Sequence, residues 1–170
     1  MTIDTNMYAI ALYEASLSTS PQAYMDELDQ FIMMLDENSE IEDFFNKTYD
    51  NFDKVKDILS EGFSKEFINF LSILYKSRNL RSIRNIASKF ESLLMENDLL
   101  SIVKIYSSTE VSENVKDKLI NMISGKYPEP YRITTYVDES LLGGYVLKVN
   151  GDIYDTSLRS KLNHIKNLEV

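Results

Sequence analysis

The spacing of apolar residues changes period once along the chain, near residue 98, and this change limits the fold more than any other feature. Before it, apolar positions recur every three to four residues, as helices with one buried stripe require. After it come short alternating runs, as strands with one buried face require. The three prolines lie outside the periodic stretches, and four of the five glycines lie beyond residue 124. Tyr8, Ala11, Leu12 and Ala15 make the first stripe. Ser20 followed by Pro21 reads as a helix cap with proline at the first helical position, where a missing N–H does no harm. Tyr24, Leu28, Phe31, Ile32 and Leu35 make the second stripe. Two short amphipathic pieces are expected over 40–47 and 52–60. Gly62 then separates them from a helix capped by Ser64 and striped by Phe67, Phe70, Leu71 and Leu74. A last helix over about 80–97 carries Ile83, Ile86, Ala87, Phe90 and Leu94. Six helices with short connections predict a six-helix bundle over residues 1–100.

The remaining residues predict a small α+β domain over 101–170, with the boundary between about 98 and 110, so the fold class is mainly α. Leu100–Ser107 is short and β-branched, a strand candidate. Ser112 is placed to cap a helix through about Ser124, with Val115, Leu119 and Met122 on one side. Tyr131–Val137 alternates, with Ile133, Thr135 and Val137 on one face, and Tyr145–Val149 alternates likewise. Asn150-Gly151 is a strong hairpin signal, because both residues accept the positive φ of a tight two-residue turn. The chain is expected to return through Asp152–Asp155. Ser157 then caps a final helix carrying Leu158, Leu162, Ile165 and Leu168.

Composition removes several classes of chemistry. With no cysteine there is no disulfide, thiolate metal site or thiol nucleophile, and a single histidine rules out a multi-histidine cage. Basic residues number 18 against 27 acidic ones, a net of −9, which argues against general nucleic-acid binding. The charge is uneven: residues 1–61 hold 14 acidic and 3 basic side chains, a net of −11, which gives a solvated acidic surface or one that steers a basic partner. The longest apolar runs are five residues, as in Phe31 to Leu35, far short of the roughly 20 that a spanning helix needs. No Lys or Arg precedes Lys47, so no secretory signal is expected, and a cytoplasmic character with membrane association only through partners follows.

No catalytic, metal or cofactor constellation emerges. Ser157 and His164 lie seven residues apart on one helix, about 10 Å along its axis, too far for a nucleophile and its base. Asp36, Asn38, Glu40 and Glu42 alternate as a calcium loop does, but Ile41 and Lys47 stand where the loop needs glycine and glutamate. Gly143-Gly144 matches no phosphate-binding spacing and reads as a tight turn or a close backbone approach. Arg78, Arg81 and Arg84 lack an aromatic platform and suit salt bridges or solvation better than nucleic acid.

Four segments together carry a resemblance. Met7 through Ala15 resembles the YAxALxxxA opening of the delta subunit of F-type ATP synthases, the counterpart of the mitochondrial oligomycin-sensitivity-conferring protein. Asn69 through Leu74, with Leu80, Arg81 and Ile83 through Phe90, is similar to that family's NFLxLLxxxxRLxxLxxIxxxF stretch. Leu141 through Val149 resembles SLIGGxxLKV, and Ile153 through Leu162 resembles VIDGSVRxKL, with Thr156 standing where the family has glycine.

The resemblance implies a non-catalytic stator subunit without cofactor, peripheral on the cytoplasmic face of a bacterial cell membrane. It implies that the bundle grips amino-terminal helices of the alpha subunits in a groove between its first and fifth helices. Tyr8, Ala11, Leu12 and Ala15 would there face Phe67, Leu71 and Leu74, unless these seven residues form the bundle's own core. It further implies that the second domain receives the b subunits of the peripheral stalk. Gly143, Gly144, Asp155, Ser157 and Arg159 either shape that contact or shape the small domain itself. The alternative function is a helical-bundle adaptor for another cytoplasmic protein complex.

Overall fold

A computed structural model describes residues 5–47 and 52–166, and Leu168 of the expected last stripe lies outside them. The chain divides into two compact units, Met1–Leu94 and Met95–Val170.

Unit one is helical: α1 Thr5–Ser16, α2 Pro21–Glu37, α3 Ser39–Lys47, α4 Phe52–Leu59, α5 Lys65–Lys76 and α6, whose Ile83–Glu96 span runs just past the unit's end. The hydroxyl oxygens of Ser20 and Ser64 accept from the backbone N–H of Ala23 (3.3 Å) and Phe67 (3.2 Å), so both expected caps form. The Glu27 carboxylate accepts from Ser64 N (2.5 Å) and fastens α2 to the start of α5. The expected 80–97 helix begins with a separate 3₁₀ turn, Leu80–Ser82, because the chain reverses through Arg78 at φ 61° before α6 can start. At the core centre Phe31 meets Phe45, Phe63 and Phe67 edge-on, with ring centroids 5.7, 6.0 and 6.2 Å away. Edge-to-face packing suits the aromatic quadrupole and adds to the burial itself. Leu12, Leu28, Leu71, Leu74, Ile83, Ile86 and Phe90 complete this core.

Unit two is a four-stranded sheet in the order β2-β1-β3-β4, formed by β1 Ser101–Ser107, β2 Tyr131–Val137, β3 Tyr145–Val149 and β4 Asp152–Asp155. Helix α7, Glu113–Ile123, links β1 to its parallel neighbour β2; β3 runs antiparallel to both β1 and β4. A 3₁₀ turn, Glu139–Leu141, precedes β3, and α8, Leu158–Lys166, follows β4. The β3–β4 turn has Asn150 at φ 48° and Gly151 at φ 101°, as the Asn-Gly pair implies. Ser112 does not cap α7 with its side chain; its carbonyl accepts from Val115 and Lys116 instead. One sheet face packs Val103, Ile105, Leu147 and Val149 against Leu119 and Ile123 of α7. Ile133, Thr135 and Val137 share that face, being in register with Val103, Ile105 and Ser107, yet Ile133 is 40% and Val137 58% exposed. A helix about 10 Å wide covers roughly two strands spaced 4.8 Å apart, and on the edge strand β2 Tyr131 still packs against this core while Ile133 and Val137 stay outside it.

Candidate functional site

In unit one, Tyr8 ties α1 to the end of α5. Its hydroxyl donates to Ser77 Oγ (2.8 Å) and accepts from Asn79 Nδ2 (3.1 Å), while Ser77 Oγ donates to the Ile73 carbonyl (2.7 Å). The inner side of α1 buries Tyr8, Ala9 and Leu12, and α5 buries Phe67, Leu71 and Leu74. Of the seven groove residues expected from sequence, five therefore sit inside the unit, and Ala11 and Ala15 face solvent. Exposed apolar residues near these helices include Met7 (63%) and Ile10 on α1, Leu17 (54%) just past its end, and Ile73 (57%) on α5. Their signal was present, since Met7, Ile10 and Leu17 recur at helical spacing on the side of α1 opposite its buried stripe.

In unit two the five expected residues come together around the first turn of α8. The Gly143 carbonyl accepts from Leu158 N (3.0 Å). Gly144 sits at φ +75°, and a Cβ there would lie 2.6 Å from the Thr156 carbonyl oxygen, so only glycine fits. Asp155 Oδ1 accepts from Ser157 N (2.8 Å). Hydrogen bonds from the Ser157 side chain and backbone hold the Asp155 carboxyl below its usual range, because they favour the charged form. Buried Ser157 caps the helix by accepting from Ser160 N (3.2 Å), and Arg159 Nη1 donates to Ser140 Oγ (3.1 Å). Thr156, where the resemblance implies glycine, is held in place: its N–H and its hydroxyl both donate to the Tyr145 carbonyl, each at 2.9 Å.

The remaining polar clusters are structural. Arg84 bridges Asp36 Oδ1 (2.5 Å) and Glu42 Oε1 (2.9 Å), which occupies two carboxylates of the calcium-like run with a guanidinium. Those same bonds raise the Arg84 pKa further. His164 is exposed on α8, and Ser157 is committed to capping. Tyr127 donates to Asp152 Oδ2 (2.5 Å) and lies 2.6 Å from the Tyr154 hydroxyl, to which Lys126 also donates. The Lys126 hydrogen bond lowers the Tyr154 phenol below its ordinary value, whereas desolvation and the Asp152 bond raise that of Tyr127. Among the described residues no three His or acidic side chains converge as a metal site, and no helix is long and apolar enough to cross a membrane.

Together these features define a two-unit binding protein that presents an apolar helix side at one unit and a tightly hydrogen-bonded helix start at the other. The profile of the ATP synthase delta (OSCP) subunit family matches residues 5–168. The chain is 29% identical over 168 residues to the ATP synthase subunit delta of Clostridium beijerinckii, covering 95% of this chain and 93% of that one. It is 28% identical over 158 residues to the same subunit of Caldanaerobacter subterraneus subsp. tengcongensis, covering 91% and 89%. A chain in the cryo-EM structure of the Toxoplasma gondii mitochondrial ATP synthase hexamer shares the fold at TM-score 0.65 and 15% identity, covering 98% of this chain and 97% of that one. The chain belongs to the ATP synthase delta (OSCP) subunit family. It is a non-catalytic stator subunit of that complex, peripheral to the membrane.

Proposed function

We propose that the six helices of residues 1–100 act as a bundle that holds amino-terminal helices of the alpha subunits, while residues 101–170 receive the b subunits. The chain would then work on the cytoplasmic face of a bacterial membrane. A rotary motor delivers work only if its stator does not turn with the rotor, so this link needs affinity and stiffness rather than bond-making chemistry. The observation that carries the reading is the outward apolar side of α1, where Met7 and Ile10 stay exposed. An amphipathic helix laid there would bury Met7, Ile10 and Leu17, and small exposed Ala11 and Ala15 let its backbone come close. Leu12, Phe67, Leu71 and Leu74 support this surface from beneath, and Tyr8 fixes α1 against α5. At the other unit, Gly143, Gly144, Asp155, Ser157 and Arg159 set the start of α8 and so the edge the stalk would touch.

The test is calorimetric titration of the full chain with a synthetic peptide of the alpha subunit's amino-terminal helix. Ala11→Asp is expected to leave the fold intact, because Ala11 is exposed, and to cost binding several kcal/mol, about what an unpaired charge costs in a dry contact. Normal peptide binding by the folded Ala11→Asp chain would refute the surface assignment. For the other end, Arg159→Ala is compared in b-subunit pull-down and in melting; reduced pull-down at unchanged melting temperature supports a contact role, and the reverse supports a purely structural one.

A further inference from the structure

The sheet of unit two has a second face, on which no residue is buried. Register places Ile102, Lys104, Tyr106, Tyr136, Lys148 and Ile153 there. We propose that this face receives an acidic amphipathic helix, which places one apolar side chain in the hollow beside Lys104 and Lys148 and a carboxylate against each. The proposal rests on the reading of unit two as the stalk-receiving end and takes the distal segment of the b subunit as the source of that helix.

Lys104 and Lys148 are direct cross-strand partners. Like charges directly opposite one another are destabilising unless a carboxylate offsets them. Among the described residues none pairs with either lysine. Asp155, the acid on this face, is engaged by Ser157 N at 2.8 Å. The Lys148 ammonium rests 4.9 Å over the Tyr106 ring, a cation–π contact that holds it in place, and Lys104 is left exposed. Beside the lysines lies a hollow of about 230 Å³ lined also by Met95, Ile102, Asn150 and Gly151, room for one large apolar side chain. On the same face the rings of Tyr106 and Tyr136 stack with centroids 4.9 Å apart. A positive pair beside a greasy hollow, with a stacked aromatic pair on the same face, complements a helix with an apolar anchor and acidic residues one turn to either side. Single-stranded nucleic acid suits the face less well. The two rings turn their faces to each other and to Lys148 rather than leaving them free for bases, and the chain carries a net charge of −9.

The experiment titrates isotope-labelled full chain with the soluble distal segment of the b subunit from the same organism, recording amide shifts and affinity at two salt concentrations. The double variant Lys104→Glu with Lys148→Glu is measured in parallel, as is Lys104→Gln, which removes one charge and leaves the Tyr106 contact alone; melting curves verify folding. Shifts concentrated in β1, β2 and β3, with affinity roughly tenfold or more weaker in the double variant and restored by a segment whose acidic residues are changed to lysine, are expected. Binding with unchanged affinity in both variants and shifts confined to 138–160 overturns the face assignment while leaving the stalk reading standing. No binding of the segment to the unaltered chain overturns both. Retention of a 12-nucleotide single-stranded RNA in place of the segment assigns the face to nucleic acid and overturns the proposal.

Discussion

Unit one turns nearly all its large apolar side chains inward around Phe31, whereas unit two covers one face of its sheet with α7 and leaves the other open. The reason is geometric. Helices that meet around an axis can each bury a stripe against several neighbours, but a four-stranded sheet needs a layer on both faces to bury both. Unit one therefore leaves few large apolar side chains outside, among them Met7 and Ile10 on α1, Met33 on α2, Ile58 on α4 and Ile73 on α5. Unit two offers a whole sheet face, and its anchoring depends on turns and hydrogen bonds as much as on a core.

If the comparison holds, substitutions should hurt the two units in different ways. The largest effect is expected from Phe31→Ala, which removes the ring at the centre of three edge-on contacts; about 3–5 kcal/mol of unfolding free energy should go, read by urea denaturation. The amide spectrum of β1–β4 should stay unchanged, and its collapse would mean that the units do not hold their structures separately. Next comes Gly144→Ala, where positive φ and overlap with the Thr156 carbonyl together predict a loss of about 3 kcal/mol. This should appear as exchange broadening around α8 with little change in unit one; a neutral result would remove the turn from the account. Tyr8→Phe should lose about 1 kcal/mol, because Ser77 and Asn79 keep partners elsewhere but lose the shared hydroxyl. Thermal melting reads it, and amide exchange in the first turns of α1 should quicken.

The smallest effect is expected at Asp155, and it depends on pH. Its folded pKa is lowered, so the stability it adds is fully present above the ordinary carboxylate value of about 3.9 and is lost as pH falls through its lower native value. Asp155→Ala should therefore melt earlier than the unaltered chain at pH 7, and the two curves should converge in strong acid. A gap that widens on acidification would show that the sign is wrong.

Sequence periodicity reached the helices and the strand order of appearance because those elements bury one face each. Ser20, Ser64, Ser157 and Asn150-Gly151 were legible because caps and tight turns need particular atoms at fixed offsets. Less legible was which apolar face becomes covered. Ile133 and Val137 alternate as core residues do, yet strand order puts β2 at the sheet edge, which alternation does not encode. The same blindness applies to the groove residues: Leu12, Leu71 and Leu74 fit a partner surface and a core equally well by spacing, and packing alone separates them from Met7, Ile10 and Ile73. Nor does spacing reveal the cross-strand pairing of Lys104 with Lys148, which depends on register.

The start of α8 is fastened chiefly by main-chain atoms: the Gly143 carbonyl takes the Leu158 N–H, and the Gly144 α-carbon lies beneath the Thr156 carbonyl. Beyond that first turn, Leu162 and His164 are exposed, so the outward letters of the helix are nearly free of architectural duty. Substitution at Leu162 or His164 therefore leaves the Gly143 and Gly144 contacts that set the helix start untouched, so the exposed side of α8 tolerates change that its first turn does not.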